Sequence, residues 1–227
     1  MDYISHLLQQ ASFYIPRYCA VCEIRLRPQQ KHFCGACSQE VITQFRLRQR
    51  TLTLPRSGKK RTHIYFLRWS DHSHHLTQQV IKKGKQQGQL FPLLSQLLIN
   101  SWYAHQSQAN QKINLHNIHS IVPSPPRYLG QEDHATALAK VMSGLLQMPI
   151  QECLRRKTSD RQKSKSRSQR MDAQFEIISH TQPPGGHCAF VDDVVTTGST
   201  VEAADESLTQ LGIVPVIVSL AYRPLSH

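Results

Sequence analysis

Apolar residues recur along this chain in two rhythms, and the rhythm changes near residue 118. Before that point the spacing is mostly helical. Ile4, Leu7, Leu8 and Ala11 predict a short amphipathic helix over residues 3–14, ended by Pro16. Residues 73–83 and 90–104 also read as helices, separated by Gly84 and Gly88. Between these lie a basic stretch over 46–61, carrying β-branched and Leu residues, and the apolar run Ile64-Tyr65-Phe66-Leu67. The turn-formers Pro55-Arg56-Ser57-Gly58 predict a hairpin or a loose linker there, and the apolar run predicts a strand. After residue 118 strands and helices alternate. His119–Val122 is a short strand closed by Pro123-Ser124-Pro125-Pro126, and residues 132–147 show helical spacing through Ala135, Leu138, Ala139, Met142, Leu145 and Leu146. Strands are expected at Pro149–Leu154, Gln174–Ile178 and Cys188–Val191, the last after a turn at Pro183–Gly186. A helix from Ser199 to Leu211, stopped by Gly212, leads into a final apolar strand over Ile213–Ala221. Such alternation predicts an α/β fold with a parallel sheet covered by helices.

Composition narrows the setting. At 227 residues and 39% hydrophobic, the chain is large enough for one ample domain or a domain plus a small module. No run reaches the roughly eighteen apolar residues of a membrane-spanning helix, and Met1–His6 lacks a secretory pattern. A cytoplasmic protein without membrane insertion is expected. The net charge of +12 calls for an acidic partner. Its distribution is uneven: residues 1–70 carry +9, 71–154 carry +2, 155–170 carry +7 and 171–227 carry −6. Ser57-Gly58-Lys59-Lys60 lacks the first glycine and the terminal hydroxyl of a nucleotide-binding P-loop. His72, His74 and His75 have no second cluster to complete a metal site and read as solvent-facing.

Six cysteines fall as Cys19-x2-Cys22, eleven residues, Cys34-x2-Cys37, then Cys153 and Cys188 singly. Two Cys-x-x-Cys knuckles can place four thiolates around one tetrahedral, structural zinc. Disulfides or a redox pair are the competing readings; the first suits a cytosolic chain poorly, and the second needs only one motif. Cys153 and Cys188 lie in apolar surroundings and are expected in the core.

The sharpest chemical signal is Phe190-Val191-Asp192-Asp193-Val194-Val195-Thr196-Thr197-Gly198-Ser199-Thr200-Val201. Two carboxylates follow a buried strand, and a hydroxyl-rich loop with one glycine opens a helix. The free N–H groups and positive dipole end of that helix suit a phosphate, helped by the hydroxyls of Thr196, Thr197, Ser199 and Thr200. Gly198 allows close backbone approach. Asp192 and Asp193 are then acceptors for vicinal ribose hydroxyls or for the water shell of Mg²⁺. The plainer alternative is a helix N-cap at Ser199 or Thr200 beside two solvated acids.

These residues resemble the phosphoribosyl pyrophosphate signature of type I phosphoribosyltransferases. The resemblance implies that Asp192 and Asp193 hold the ribose hydroxyls and that Val195 to Thr200 bind the 5′-phosphate. With the four-Cys knuckle, Val122-Pro123, the basic mid-segment and Arg223, the whole order is similar to the ComF family of competence-type proteins. Where family members carry Val-Pro-Val-Pro and an Arg-Gly-Phe-Asn stretch, this chain has Val122-Pro123-Ser124-Pro125 and Gly130-Gln131-Glu132-Asp133. Three regions are implied: a helix and zinc finger over 1–45, a basic linker or hairpin over 46–70, and a Rossmann-like, phosphoribosyltransferase-like domain over 71–227.

The resemblance further implies binding of phosphoribosyl pyrophosphate with Mg²⁺, and assistance to uptake or processing of single-stranded DNA beside a membrane channel and a helicase-like ATPase. Phosphoribosyl transfer to an unidentified acceptor and a zinc-held scaffold are the alternatives, and no catalytic residue is assigned. The run from Arg155 to Arg170 is either a loop closing over pyrophosphate or, with the basic first 70 residues, a track for a nucleic-acid backbone. Tyr14, Tyr18, Phe33, Phe45, Tyr65 and Trp69 lie among the N-terminal charges, as base-stacking groups or as the module's own core.

Overall fold

The computed structural model describes residues 18–19, 21–30, 32–69, 98, 100–101, 103, 117–126, 133–157, 174–178 and 186–224. The helices expected over 3–14 and 73–83 lie outside these residues, and so does most of the basic run. Of the helix expected over 90–104, Leu98, Asn100, Ser101 and Tyr103 are described, and all are helical.

In chain order the elements are α1 (Gly35–Gln44), β1 (Arg48–Thr53), β2 (Lys60–Arg68), β3 (Ile118–Pro123), α2 (His134–Leu146), β4 (Leu154–Arg156), β5 (Phe175–Ile177), β6 (His187–Val195), α3 (Ser199–Gln210) and β7 (Val214–Tyr222). Five strands form the main sheet in the order β1-β2-β7-β6-β3. Strands β2, β7, β6 and β3 run parallel, and β1 closes one edge as the antiparallel arm of a hairpin. The expected α/β, mostly parallel architecture is therefore present. No described helix is long and apolar enough to cross a membrane.

Strand alternation explains how both faces of the sheet are covered. Ile64 and Phe66 on β2, Ala189 and Val191 on β6, and Val218 and Leu220 on β7 point to one side. There they meet Leu138, Ala139 and Met142 of α2 and the apolar residues of the cysteine module, including Val41 and Phe45. The intervening residues Tyr65, Phe190 and Ile217 point to the other side, onto Val201, Ala204 and Leu208 of α3 and Leu52 and Leu54 of the hairpin. Phe66, Phe190 and Leu208 are wholly buried, each contributing about 1.5–3 kcal/mol. Cys153 and Cys188 belong to this second core.

Two local departures matter. The strand expected over 149–154 divides. Ile150 makes a single parallel bridge to Ile121, and the chain then leaves the sheet to pair β4 with β5 as a separate antiparallel ribbon. That ribbon is the base from which the basic segment leaves and returns, with the Lys157 N–H donating to the Gln174 carbonyl at 2.9 Å. Strand β6, expected to stop at Val191, instead runs on through the acid pair to Val195. Backbone pairing with β7 continues there, Asp192 opposite Ser219 and Val195 opposite Tyr222, regardless of side-chain polarity.

Candidate functional site

The four cysteines of the two knuckles converge. Their Sγ atoms all lie within 4.8 Å of one another, and Cys22 and Cys34 are 3.7 Å apart. Zinc–thiolate bonds of about 2.3 Å in a tetrahedron imply sulfur–sulfur edges of about 3.8 Å, so the set fits zinc. Local backbone aims the sulfurs: Val21 N–H donates to Cys19 Sγ, and Cys37 N–H donates to Cys34 Sγ, each at 3.5 Å. Cys34 is also the N-cap of α1, so one residue starts the helix and offers a ligand. Burial opposes a Cys19 thiolate, but N–H donors from residues 22, 34 and 21 bring its pKa down to about 6. Cys37 is pushed up by burial and by its sulfur neighbours. A group that resists collecting negative charge and is already gathered around one point has the chemistry of a cation site. A metal held by all four would have no open position for substrate, which is the pattern of a structural rather than a catalytic zinc.

The second candidate lies at the carboxyl end of β6, next to the centre of the parallel sheet. The chain passes from the strand through Thr196 and Thr197 to Gly198, which adopts φ 87° and begins α3. The alternative of an N-cap at Ser199 or Thr200 fails: the cap residue is Gly198, which makes no side-chain cap bond. Thr197 and Ser199 instead bond to each other, hydroxyl to hydroxyl at 3.2 Å, and the Ser199 N–H donates to Thr197 Oγ1 at 3.3 Å. A recess of about 180 Å³, counting its solvent-open part, is lined by Asp192, Val194, Val195, Thr196, Gly198, Ser199, Thr200 and Val201. Of the expected site residues, Asp193 and Thr197 do not line it. The Val195 side chain belongs to the second core, leaving its backbone for the loop.

The two acids differ in setting. Asp192 is 9% exposed, and Asp193 is half-buried. Each bends back to the main chain, Asp192 Oδ1 accepting from Asp193 N–H at 2.9 Å and Asp193 Oδ1 from Val194 N–H at 2.7 Å. Burial, reinforced by the Asp193 charge, pushes the Asp192 pKa up to about 8. Arg156 and the N–H of residue 193 act in the opposite direction, and Asp133 adds to the rise. A buried acid in this state is stabilised as a carboxylate by a partner that brings positive charge or hydroxyl donors.

Two neighbours escaped the sequence reading as site residues. Arg156, assigned only to the basic run, donates from Nε to the Pro125 carbonyl at 2.9 Å and stacks 5.2 Å from the Phe175 ring. Its charge reaches Asp192. Asp133 caps α2 through the Thr136 N–H at 3.0 Å. Its position before a helical repeat was the available signal; the signal for Arg156 was absent, since it depends on the separate β4–β5 ribbon.

Part of the N-terminal positive charge is engaged within the fold, while Arg25, Arg27, Arg46 and Lys60 are exposed. Arg56 pairs with Glu202 and Glu206, and Lys59 and Arg61 pair with Asp205. Arg48 binds the carbonyls of Gln44, Arg46 and Phe66, and Arg50 lies 4.3 Å over the Tyr222 ring. The β1–β2 hairpin and α3 of the acidic C-terminal quarter are therefore joined by ion pairs. Phe33, Phe45 and Tyr65 are buried and Trp69 packs against the first core, as mini-core residues do; Tyr18 is exposed at 58%. Tyr14 lies outside the described residues.

No family model matches the chain, and no curated protein matches it. Among solved structures it is similar to type I phosphoribosyltransferases. One is an adenine phosphoribosyltransferase, at 19% identity over 82% of this chain and 89% of that one, with a TM-score of 0.40. The adenine phosphoribosyltransferase from Saccharomyces cerevisiae has 18% identity, coverage of 85% and 90%, and a TM-score of 0.40. The orotate phosphoribosyltransferase from Aeropyrum pernix has 13% identity, coverage of 81% and 78%, and a TM-score of 0.34. At these values the likeness says nothing of what this chain binds.

Proposed function

We propose that this chain binds the phosphoribosyl group of phosphoribosyl pyrophosphate, with Mg²⁺, at the β6–α3 loop. One observation carries the reading: a helix with no side-chain cap opens beside two adjacent acids at the carboxyl end of an inner parallel strand. In that arrangement the amino end of α3 and the hydroxyls of Thr196, Ser199 and Thr200 hold the 5′-phosphate. Asp192 and Asp193 accept from the ribose hydroxyls, and Arg156 adds positive charge near Asp192. Mg²⁺, when bound, neutralises pyrophosphate charge. The same residues suit phosphoribosyl transfer, in which an acceptor nucleophile bonds to C1 as the C1–oxygen bond to pyrophosphate breaks; positioning and charge stabilisation are the contributions expected of the protein.

We do not extend the proposal to single-stranded DNA or an uptake machinery. That reading draws on the basic first 70 residues, the charge of 155–170 and family resemblance, and the cations at 48, 50, 56, 59 and 61 are engaged within the fold. Zinc in the four-Cys cluster belongs to the proposal as a structural element.

Calorimetric titration of phosphoribosyl pyrophosphate with Mg²⁺ tests the site. Saturable heat is expected from the native protein and at least a tenfold weaker response from Asp192→Ala with Asp193→Ala. No heat from the native protein removes the reading.

A further inference from the structure

The first two turns of α3 pose an electrostatic problem. Glu202 lies one turn into the helix and is completely buried, with Asp205 and Glu206 close behind. An acid near a helix amino end complements the dipole, but it also opposes any phosphate seated at that end. The β1–β2 turn meets this problem from 146 residues away. Glu202 accepts from the Arg56 N–H at 3.0 and 3.1 Å, from Arg56 Nε at 3.1 Å and from the Ser57 N–H at 2.6 Å. The same turn lies behind the loop glycine: a Cβ placed on Gly198 meets Pro55 Cδ at 3.7 Å and Leu52 Cδ2 at 3.8 Å.

We propose that the β1–β2 turn is a working part of the phosphate site, with Arg56 as a positioning residue that neutralises Glu202 and keeps the amino end of α3 attractive to a phosphate dianion. The inference rests on the ribose-phosphate reading above and adds to it a second segment of the chain. Arg56 does not touch the ligand. It acts through Glu202, and by two routes: its charge cancels that of the buried carboxylate, and its backbone N–H helps fix the helix start. The charge route is specific, because it predicts that removing both charges restores what removing Arg56 alone destroys.

The test is calorimetric titration of ribose 5-phosphate into native protein, Arg56→Ala, Glu202→Gln and the double variant, at low and high salt, with thermal melting of each. Arg56→Ala is expected to weaken binding about tenfold at low salt and less at high salt. Glu202→Gln should bind as tightly as the native protein or more tightly. The double variant should return to within about threefold of native affinity. If Arg56→Ala melts below the titration temperature, Glu202→Gln alone decides, since a purely structural clamp predicts weaker binding from it. Unchanged binding in Arg56→Ala, or a double variant as weak as Arg56→Ala, overturns the inference while the ribose-phosphate reading stands. No binding by native protein removes both.

Discussion

The cysteine cluster and the β6–α3 loop are both sites built at the start of a helix, and they treat its free N–H groups in opposite ways. At α1 the cap is supplied from within: Cys34 Sγ accepts from Cys37 N–H, and its neighbours face inward to the same point. At α3 the cap residue is a glycine with no side chain to offer, and only the Ser199 N–H finds a side-chain acceptor, Thr197 Oγ1. The first arrangement is complete in itself, given one cation. The second leaves donors toward a solvent-open recess, which is what a site for an exchangeable anion requires. Closure suits a structural site, and incompleteness suits the binding site proposed above.

The largest effect that can break this comparison lies at the closed site. Removing zinc with a strong chelator, or replacing Cys34 with Ser, is expected to unfold the module and lower the melting temperature of the whole protein. The module shares one core with β2 and α2, so its loss exposes Phe66 and Met142. Structural zinc is worth on the order of 10 kcal/mol in small modules. Metal analysis and a melting curve check this; a protein that is metal-free and equally stable refutes the closed-site reading.

A smaller effect separates stability from binding at the open site. The folded protein holds a proton on Asp192 up to about pH 8, whereas the unfolded chain releases it near the ordinary aspartate value of about 4. More protons are bound in the folded state across that interval, so stability falls as pH rises from about 4 to about 8. Asp192→Asn should flatten this decline and melt higher than native protein at pH 8, while losing affinity for the ribose ligand. Melting curves at pH 5.5 and pH 8 test it. A variant that keeps the full pH dependence assigns the decline to other groups.

The smallest effect concerns the loop glycine. Gly198→Ala has room for its methyl group but must hold φ 87°, a conformation that costs a non-glycine residue about 1 kcal/mol or more. A melting decrease of a few degrees is expected, with weaker phosphate binding as the helix start shifts. Equal affinity at reduced stability would mean that the loop tolerates displacement.

Legibility in the sequence followed the range of the forces involved. Strands β3, β6 and β7 and helices α2 and α3 were readable, because each carries its own periodicity and its own stop, such as Gly212 after α3. The two chemical clusters were readable because their residues are close in sequence. What stayed hidden was long-range. Nothing local in Arg56, Lys59 and Arg61 distinguishes a cation bound for α3 from a solvated one, so the sequence does not show that these three are drawn onto the helix. The end of β6 was hidden for a related reason: the partner strand that carries the backbone pairing past Asp192 is itself set by tertiary structure.

The strand order β1-β2-β7-β6-β3 also bears on how the chain reaches its folded form. Strand β7, the latest of the five in sequence, sits in the middle, joined on one side to β2 and on the other to β6. Until residues 214–222 are synthesised, the β1–β2 and β6–β3 pairs have no shared ladder to join them. Pairing such as Tyr65 with Ser219 closes a loop of about 150 residues, so sheet assembly is slow and late. During that interval exposed edges of β2 and β6 are templates for pairing with other chains, and aggregation of the nascent protein is the hazard its topology carries.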